Sequence, residues 1–250
     1  MRSTPDRRNY LGRGRGGAPR VSFVPITHRP QRGTTIRIAI LGSGNMGAPL
    51  GRAFAAAGHT VAFSYSHDQK KLERLADEAG PKARAAAPWD AVQKAQIVLL
   101  AVHWSQVPPA LRAAGSLRGK ILIDCTNPMT HADDALAVGH RLSGGELIAK
   151  RAVGARVVKA FNTIPAELLR AGVEKMAERP AVCYCGDETE AKHVVARLIK
   201  QMGFEPVDCG ALAVSRYLEP LALLVAELAY NQGKRPEVGV RFVRRGKRKR

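Results

Sequence analysis

Ile36-Arg37-Ile38-Ala39-Ile40-Leu41-Gly42-Ser43-Gly44-Asn45-Met46-Gly47 is the stretch from which the rest of the chain can be read. A β-branched apolar run enters Gly42-x-Gly44-x-x-Gly47, and an amphipathic pattern follows at Met46, Leu50, Phe54 and Ala57. Strand, glycine turn and helix in that order turn a common glycine spacing into a dinucleotide-binding fingerprint. Gly42 permits the tight turn, Gly44 lets backbone approach a pyrophosphate, and Gly47 lets the helix lie close on the sheet. The amides of Ser43, Gly44, Asn45 and Met46 are expected to point at an anion, helped by the positive end of the helix dipole. Pro49 is comfortable only in the first helical turn, where its missing N–H has no partner to lose.

Working outward, residues 60–64 form the next strand. An NAD site places a carboxylate at its end, roughly 20 residues past the first glycines, to accept the ribose hydroxyls. Ser64-Tyr65-Ser66-His67 stands there instead, with Lys70 and Lys71 just beyond. Hydroxyls and cations bind a 2′-phosphate that a carboxylate would repel, so NADP(H) is the expected cofactor. The unbroken apolar run 97–102 is a strand buried on both faces, and it closes at Ala101-Val102-His103-Trp104. Residues 120–124 lead into Cys125-Thr126-Asn127-Pro128, and 156–160 into Phe161-Asn162-Thr163-Ile164-Pro165. Three strands thus end in polar or aromatic loops, at the edge where doubly wound sheets bind ligands.

Past residue 165 the rhythm changes. A strand over 181–185 precedes a helix that Asp187 caps, with Glu190 completing a capping box and an apolar face at Ala191, Val194, Val195, Leu198 and Met202. A strand over 204–208 and an apolar helical region over 212–230 follow, the latter kinked or broken by Pro220. The predicted architecture is α/β: a doubly wound Rossmann-type parallel sheet over 36–165 and a smaller C-terminal α+β domain over 166–243. Residues 1–35 and 244–250 are basic tails.

The net charge of +19 suggests nucleic acid until it is located. Residues 1–37 carry +8 and residues 234–250 another +8, leaving +3 for everything between. The folded part is therefore nearly neutral, and no specific nucleic-acid partner is expected. Both tails read as disordered, and the first lacks the apolar core of a secretory signal. No window approaches the ~20 apolar residues of a membrane span. The four cysteines show no zinc spacing, so no metal site is expected. Cys183 and Cys185 share a strand face as buried hydrophobes, and a reducing cytoplasm is the expected location.

Several segments in order resemble the coenzyme F420-dependent NADP oxidoreductase family. They are Gly42-Ser43-Gly44-Asn45-Met46-Gly47, Trp104, Asn162-Thr163-Ile164-Pro165-Ala166, Cys185-Gly186-Asp187, and Ser215-Arg216 with Glu219-Pro220-Leu221. The resemblance covers about residues 36–243. It implies NADP bound on the Rossmann domain, a C-terminal domain closing a cleft over the nicotinamide, and hydride exchange with a deazaflavin. By that similarity Ser64 to His67 hold the 2′-phosphate, Ala101 to Trp104 and Asn127 line the cofactor, and Asn162 and Ile164 face the nicotinamide. Two departures stand out: Ser66-His67 where the family offers arginine, and Asn162 where characterised members carry histidine. A related membrane metalloreductase group resembles the nucleotide domain alone.

Hydride transfer between two redox rings needs apposition more than acid–base groups. Asn162 and Thr163 are the residues expected to orient the carboxamide or the partner ring, coenzyme F420 or a flavin. Two alternatives are an NADPH-dependent imine or carbonyl reductase of the pyrroline-5-carboxylate reductase type, and a non-catalytic NADP(H) sensor. A small-molecule redox substrate is the expected partner. The Leu- and Ala-rich C-terminal helix suits packing on the first domain or, in a homodimer, on a second copy.

Overall fold

The computed structural model describes residues 34–243 apart from 133, 134, 140, 175 and 233–235, so both basic tails, save residues 34 and 35, lie outside the described residues. The strands are β1 (Arg37–Leu41), β2 (Thr60–Ser64), β3 (Ala83–Ala85), β4 (Ile97–Leu100), β5 (Ile121–Asp124), β6 (Arg156–Ala160), β7 (Ala181–Gly186) and β8 (Glu205–Asp208). They form one eight-stranded sheet in the order β3-β2-β1-β4-β5-β6-β7-β8. From β3 to β6 every pairing is parallel. The order reverses between β1 and β4, and there the connections leave in opposite directions and open a crevice at the carboxyl ends.

The helices are α1 (Gly47–Ala56), α2 (Gln69–Ala79), α3 (Pro88–Lys94), α4 (Val107–Ala114), α5 (Gly144–Arg151), α6 (Ala166–Ala171), α7 (Thr189–Gln201) and α8 (Ser215–Ala226). Alternation along β1 divides them between two cores. Ile38 and Ile40 share one core with Leu50 and Phe54 of α1, Leu72 of α2 and Val195 of α7. Ala39 and Leu41 face Val92 of α3, Val107 of α4, Ile148 of α5 and Leu218 of α8. Both faces of the sheet are covered, which is why β4 reads as Ile-Val-Leu-Leu with no polar alternation.

The C-terminal part departs from the expected layout. Rather than building a sheet of its own, it adds β7 antiparallel to β6 and β8 parallel to β7. All six residues of β7 are buried, Cys183 and Cys185 among them, and such a strand is stable only inside a sheet. Asp187 does not cap α7. The N-cap position of that helix is Glu188, which makes no side-chain cap, and Asp187 Oδ1 instead accepts from the Leu212 amide at 2.9 Å. Pro220 lies inside α8 without ending it, and a π-helical segment, Glu227–Gln232, continues the chain. Among the described residues no helix is long and apolar enough to cross a membrane.

Candidate dinucleotide site

The glycine turn leaves β1 at the crevice. Gly42 has φ +107, and its amide donates to Ser64 O at 3.0 Å, tying the turn to the end of β2. A Cβ on Gly42 would strike the Ala101 carbonyl, and one on Gly47 would strike the Gly42 carbonyl, so both glycines are demanded by the fold. Gly44 differs: nothing lies within 4 Å of where its Cβ would be. That open space faces a row of donors. Among the described residues, the amides of Ser43, Gly44, Asn45 and Met46 donate to no protein acceptor. Unpaired amides at the start of a helix are an anion cradle.

A cavity of about 600 Å³ extends from this turn across the ends of β2, β3 and β4. Gly42, Ser43, Gly44, Tyr65, Ser66, His67, Ala101 and Val102, all expected from the sequence to contact a cofactor, line it. Ala86, Ala87 and Pro88 also line it; they follow β3, whose three residues carry too short a pattern to read as a strand. Among the described residues no carboxylate lines the cavity. Ser64 is not at the mouth: its hydroxyl donates to Ile40 O at 3.0 Å and the residue is fully buried, because it is the last strand position and its side chain alternates inward. Lys70 is an exposed residue of the first turn of α2, outside the cavity lining. Asn45, Met46 and Gly47 lie on the turn itself, with Met46 as the N-cap of α1. Trp104 is half-buried in a short 3₁₀ turn, packed against the second core rather than lining the cavity. His103 begins that turn, its Nδ1 accepting from the Ser105 amide at 3.4 Å.

Beyond the cavity, the ends of β5 and β6 carry the other expected residues. Asn162 donates from Nδ2 to Asn127 Oδ1 at 3.0 Å and to Leu218 O at 3.0 Å, while Asn127 Nδ2 donates back to Asn162 O at 3.2 Å. This exchange joins β5, β6 and α8. Asn162 Oδ1 is buried and has no partner among the described residues. A buried acceptor left bare costs about 1–3 kcal/mol, a penalty that none of the described residues relieves. Thr163 is buried beside it. Among the described residues the two non-glycine positions with positive φ, Tyr65 (φ 58) and Phe161 (φ 68), both sit where a strand turns into this edge. Strain of that kind gathers at ligand sites.

Behind Asn162 lies a buried ionic cluster. Lys159 Nζ bonds Asp124 Oδ2 at 2.7 Å, Thr126 O at 2.8 Å and Glu219 Oε1 at 3.0 Å, which uses all three of its protons. Burial pulls the Lys159 pKa down, but Asp124 and Glu219 outweigh it and the net direction is up. Glu219 also accepts from the amides of Gly144 and Gly145 at 3.0 Å each, so it caps α5 from α8. The sequence carries one sign of this corner, Ser143-Gly-Gly-Glu146, and the structure shows it as a complete capping box.

Arg216 holds Glu146 through two hydrogen bonds, of 2.8 and 2.5 Å. Those bonds first, with Ser143 assisting against the cost of burial, bring the Glu146 carboxyl from its ordinary 4.5 down to about 2. A depressed carboxylate contributes stability above its ordinary value and loses it as pH falls toward the folded one. The melting temperature of the native chain is therefore expected to fall more steeply between pH 4.5 and about 2 than that of E146Q. Parallel slopes in differential scanning calorimetry would contradict this.

Fold and turn together define a dinucleotide-binding protein of the doubly wound α/β class. Residues 37–128 match the family model described as NADP oxidoreductase, coenzyme F420-dependent. The F420-dependent NADP reductase of Methanocaldococcus jannaschii is 26% identical over 215 residues, 77% of this chain and 92% of that one. A crystal structure of a candidate F420-dependent NADP reductase from Arthrobacter sp. FB24 superposes with a TM-score of 0.76 at 29% identity, covering 84% of this chain and all of the other. Rat metalloreductase STEAP3 is 33% identical over 190 residues, 75% of this chain. The chain spans only 26–37% of the length of the metalloreductases that it matches. Residues 37–128 thus match the F420-dependent NADP oxidoreductase family, and most of the chain is similar to proteins named as F420-dependent NADP reductases.

The site fits that family's nucleotide. The amide cradle, the space over Gly44, the absence of a carboxylate from the cavity and the bare Asn162 oxygen suit a diphosphate, an extra phosphate and a carboxamide in turn.

Proposed function

We propose that this chain is an NADPH-dependent reductase that passes hydride to the ring of a deazaflavin such as coenzyme F420, or to a flavin. The supporting observation is the chemistry of the edge over β5 and β6. Thr126, Asn127, Asn162 and Thr163 offer only amides and hydroxyls there, and the charges behind them, Asp124, Lys159 and Glu219, are closed upon one another. In ring-to-ring transfer the hydride step needs no proton donor from the protein, the accompanying proton reaching a ring nitrogen of the acceptor from solvent, whereas imine or carbonyl reduction protonates the nitrogen or oxygen of the bond being reduced.

NADPH supplies the hydride when bound. The Gly42 to Met46 turn would hold the diphosphate, and Ser66 and His67, which line the cavity, would hold the 2′-phosphate. The bare Asn162 Oδ1 would accept from the carboxamide nitrogen, with Asn127 fixing the Asn162 side chain. Orientation of this kind is the chain's main contribution to rate.

The test is bleaching of oxidised F420 by NADPH, run beside FMN, a ferric chelate and a cyclic imine, and repeated with NADH. F420 or FMN reduction with preference for NADPH is the expected result. The ferric arm addresses metal reduction, which the similarity to rat metalloreductase STEAP3 favours as a second reading. Imine turnover alone would replace the proposal with the imine-reductase alternative. Tight NADPH binding with no turnover on any acceptor would replace it with the sensor.

A further inference from the structure

Four side chains form a hydrogen-bonded line from the C-terminal end of the fold to the glycine turn. The Tyr230 hydroxyl donates to Glu167 Oε2 at 2.6 Å. Glu167 Oε1 accepts from Arg170 Nη1 at 3.3 Å, and Arg170 Nη2 donates to Asn45 Oδ1 at 2.9 Å. Arg170 stands on α6, 125 positions from Asn45, and no sequence motif joins the two.

Asn45 belongs to the row of unpaired amides, so the guanidinium sits one side chain away from where the turn would hold an anion. The amides offer only partial charges, whereas a dinucleotide diphosphate is a full dianion. Arginine presents five donors in a planar fork that matches two phosphate oxygens, and Asn45 and Glu167 each engage one nitrogen. The Arg170 side chain is 39% exposed, so it can swing from Asn45 to a ligand oxygen without crossing packed core.

We propose that Arg170 is the counter-cation of the cofactor diphosphate, kept in place by Asn45 and Glu167, with Tyr230 fixing Glu167. The assignment rests on the reading of the glycine turn as a diphosphate cradle. It makes the far end of the fold part of nucleotide affinity: the segment after α8 sets the rotamer of Glu167, and Glu167 sets that of Arg170.

The experiment is isothermal titration calorimetry of the full chain, R170Q and R170K with NADPH, ADP-ribose and 2′-AMP. ADP-ribose keeps the diphosphate without the 2′-phosphate, and 2′-AMP keeps the 2′-phosphate without the diphosphate. R170Q is expected to weaken NADPH and ADP-ribose by about ten- to a hundredfold, the usual value of hydrogen bonds to a charged group. Binding of 2′-AMP should stay within about twofold, and R170K should recover part of the loss by charge alone.

If Arg170 is only a strap between α6 and the turn, R170Q will lower the melting temperature and shift all three ligands alike. That result, or unchanged NADPH affinity, overturns the proposal. Should the native chain bind none of the three, the nucleotide reading falls first and this assignment with it. Should it bind all three while R170Q binds them equally well, the assignment alone falls.

Discussion

Alanine at Gly44 should leave the fold intact and remove NADPH binding, whereas alanine at Gly42 should damage both. The difference comes from what each missing Cβ would meet. At Gly42 a methyl group would collide with the Ala101 carbonyl and crowd Val102, and φ of +107 disfavours any side chain. The turn cannot yield, since the Gly42 amide is committed to Ser64 and its carbonyl is covered by Gly47. Strain of this sort costs about 1–3 kcal/mol. At Gly44 the protein places nothing within 4 Å, and the backbone is not left-handed. An alanine there also lowers the entropy of the unfolded chain, so G44A should melt at or slightly above the native temperature.

The space at Gly44 is free only while no ligand uses it. A diphosphate drawn against the amides of Ser43 to Met46 would occupy it, and a methyl group would hold the anion away from its donors. Affinity for NADPH is expected to drop by about a hundredfold or more, equivalent to roughly 3 kcal/mol. Thermal melts and NADPH titrations of the two variants are the measurement. If G44A bound NADPH as well as the native chain, the turn would not be the cradle, and the cofactor would have to lie elsewhere along the edge.

Lys159→Met is expected to be the most destabilising single change in the body of the protein. The native ammonium answers two carboxylates, both shielded from water: Asp124 at 2.7 Å and Glu219 at 3.0 Å. Removing it leaves Asp124 and Glu219 facing each other in a dry corner, and breaking a buried pair in this way costs about 3–5 kcal/mol. The damage reaches beyond one contact, because Glu219 caps α5 and Asp124 holds the Thr126 amide and hydroxyl at 2.9 and 2.7 Å. With its pKa raised, Lys159 contributes fully at neutral pH; that contribution fades only as pH climbs past the ordinary lysine value of 10.5 toward the folded one. Denaturant titration at neutral pH should show a midpoint well below native with an unchanged slope. A loss under about 1 kcal/mol would mean that water or relaxation compensates the carboxylates, and the cluster would not be the anchor of α8.

Much of the nucleotide half was legible because its determinants are local. A tight turn, an apolar run and a helix face are each written within a few neighbouring residues, so Gly42, Gly44, Gly47 and the strands around them could be read one at a time. The same locality explains Ser143 and Glu146, a capping box visible in the letters but easily passed over in an irregular stretch. Where the reading went astray, a local motif was satisfied by something distant. Asp187 has the spacing of a helix cap, yet its oxygen is taken by Leu212, 25 positions on. Ser64 looks like a ligand hydroxyl, yet strand alternation turns it inward to Ile40.

By itself the sequence determined the parallel α/β core, the glycine turn between β1 and α1 and the lack of a carboxylate at the very end of β2, since backbone geometry and side-chain periodicity settle these residue by residue. Only the tertiary structure decided that β7 and β8 extend the same sheet, that Lys159 gathers Asp124 and Glu219, that Asn162 keeps an unmet oxygen, and that Arg170 reaches the turn. Each of these depends on partners tens of residues apart, brought together when the two apolar cores close, and no spacing along the chain encodes which distant charge or amide will arrive beside which.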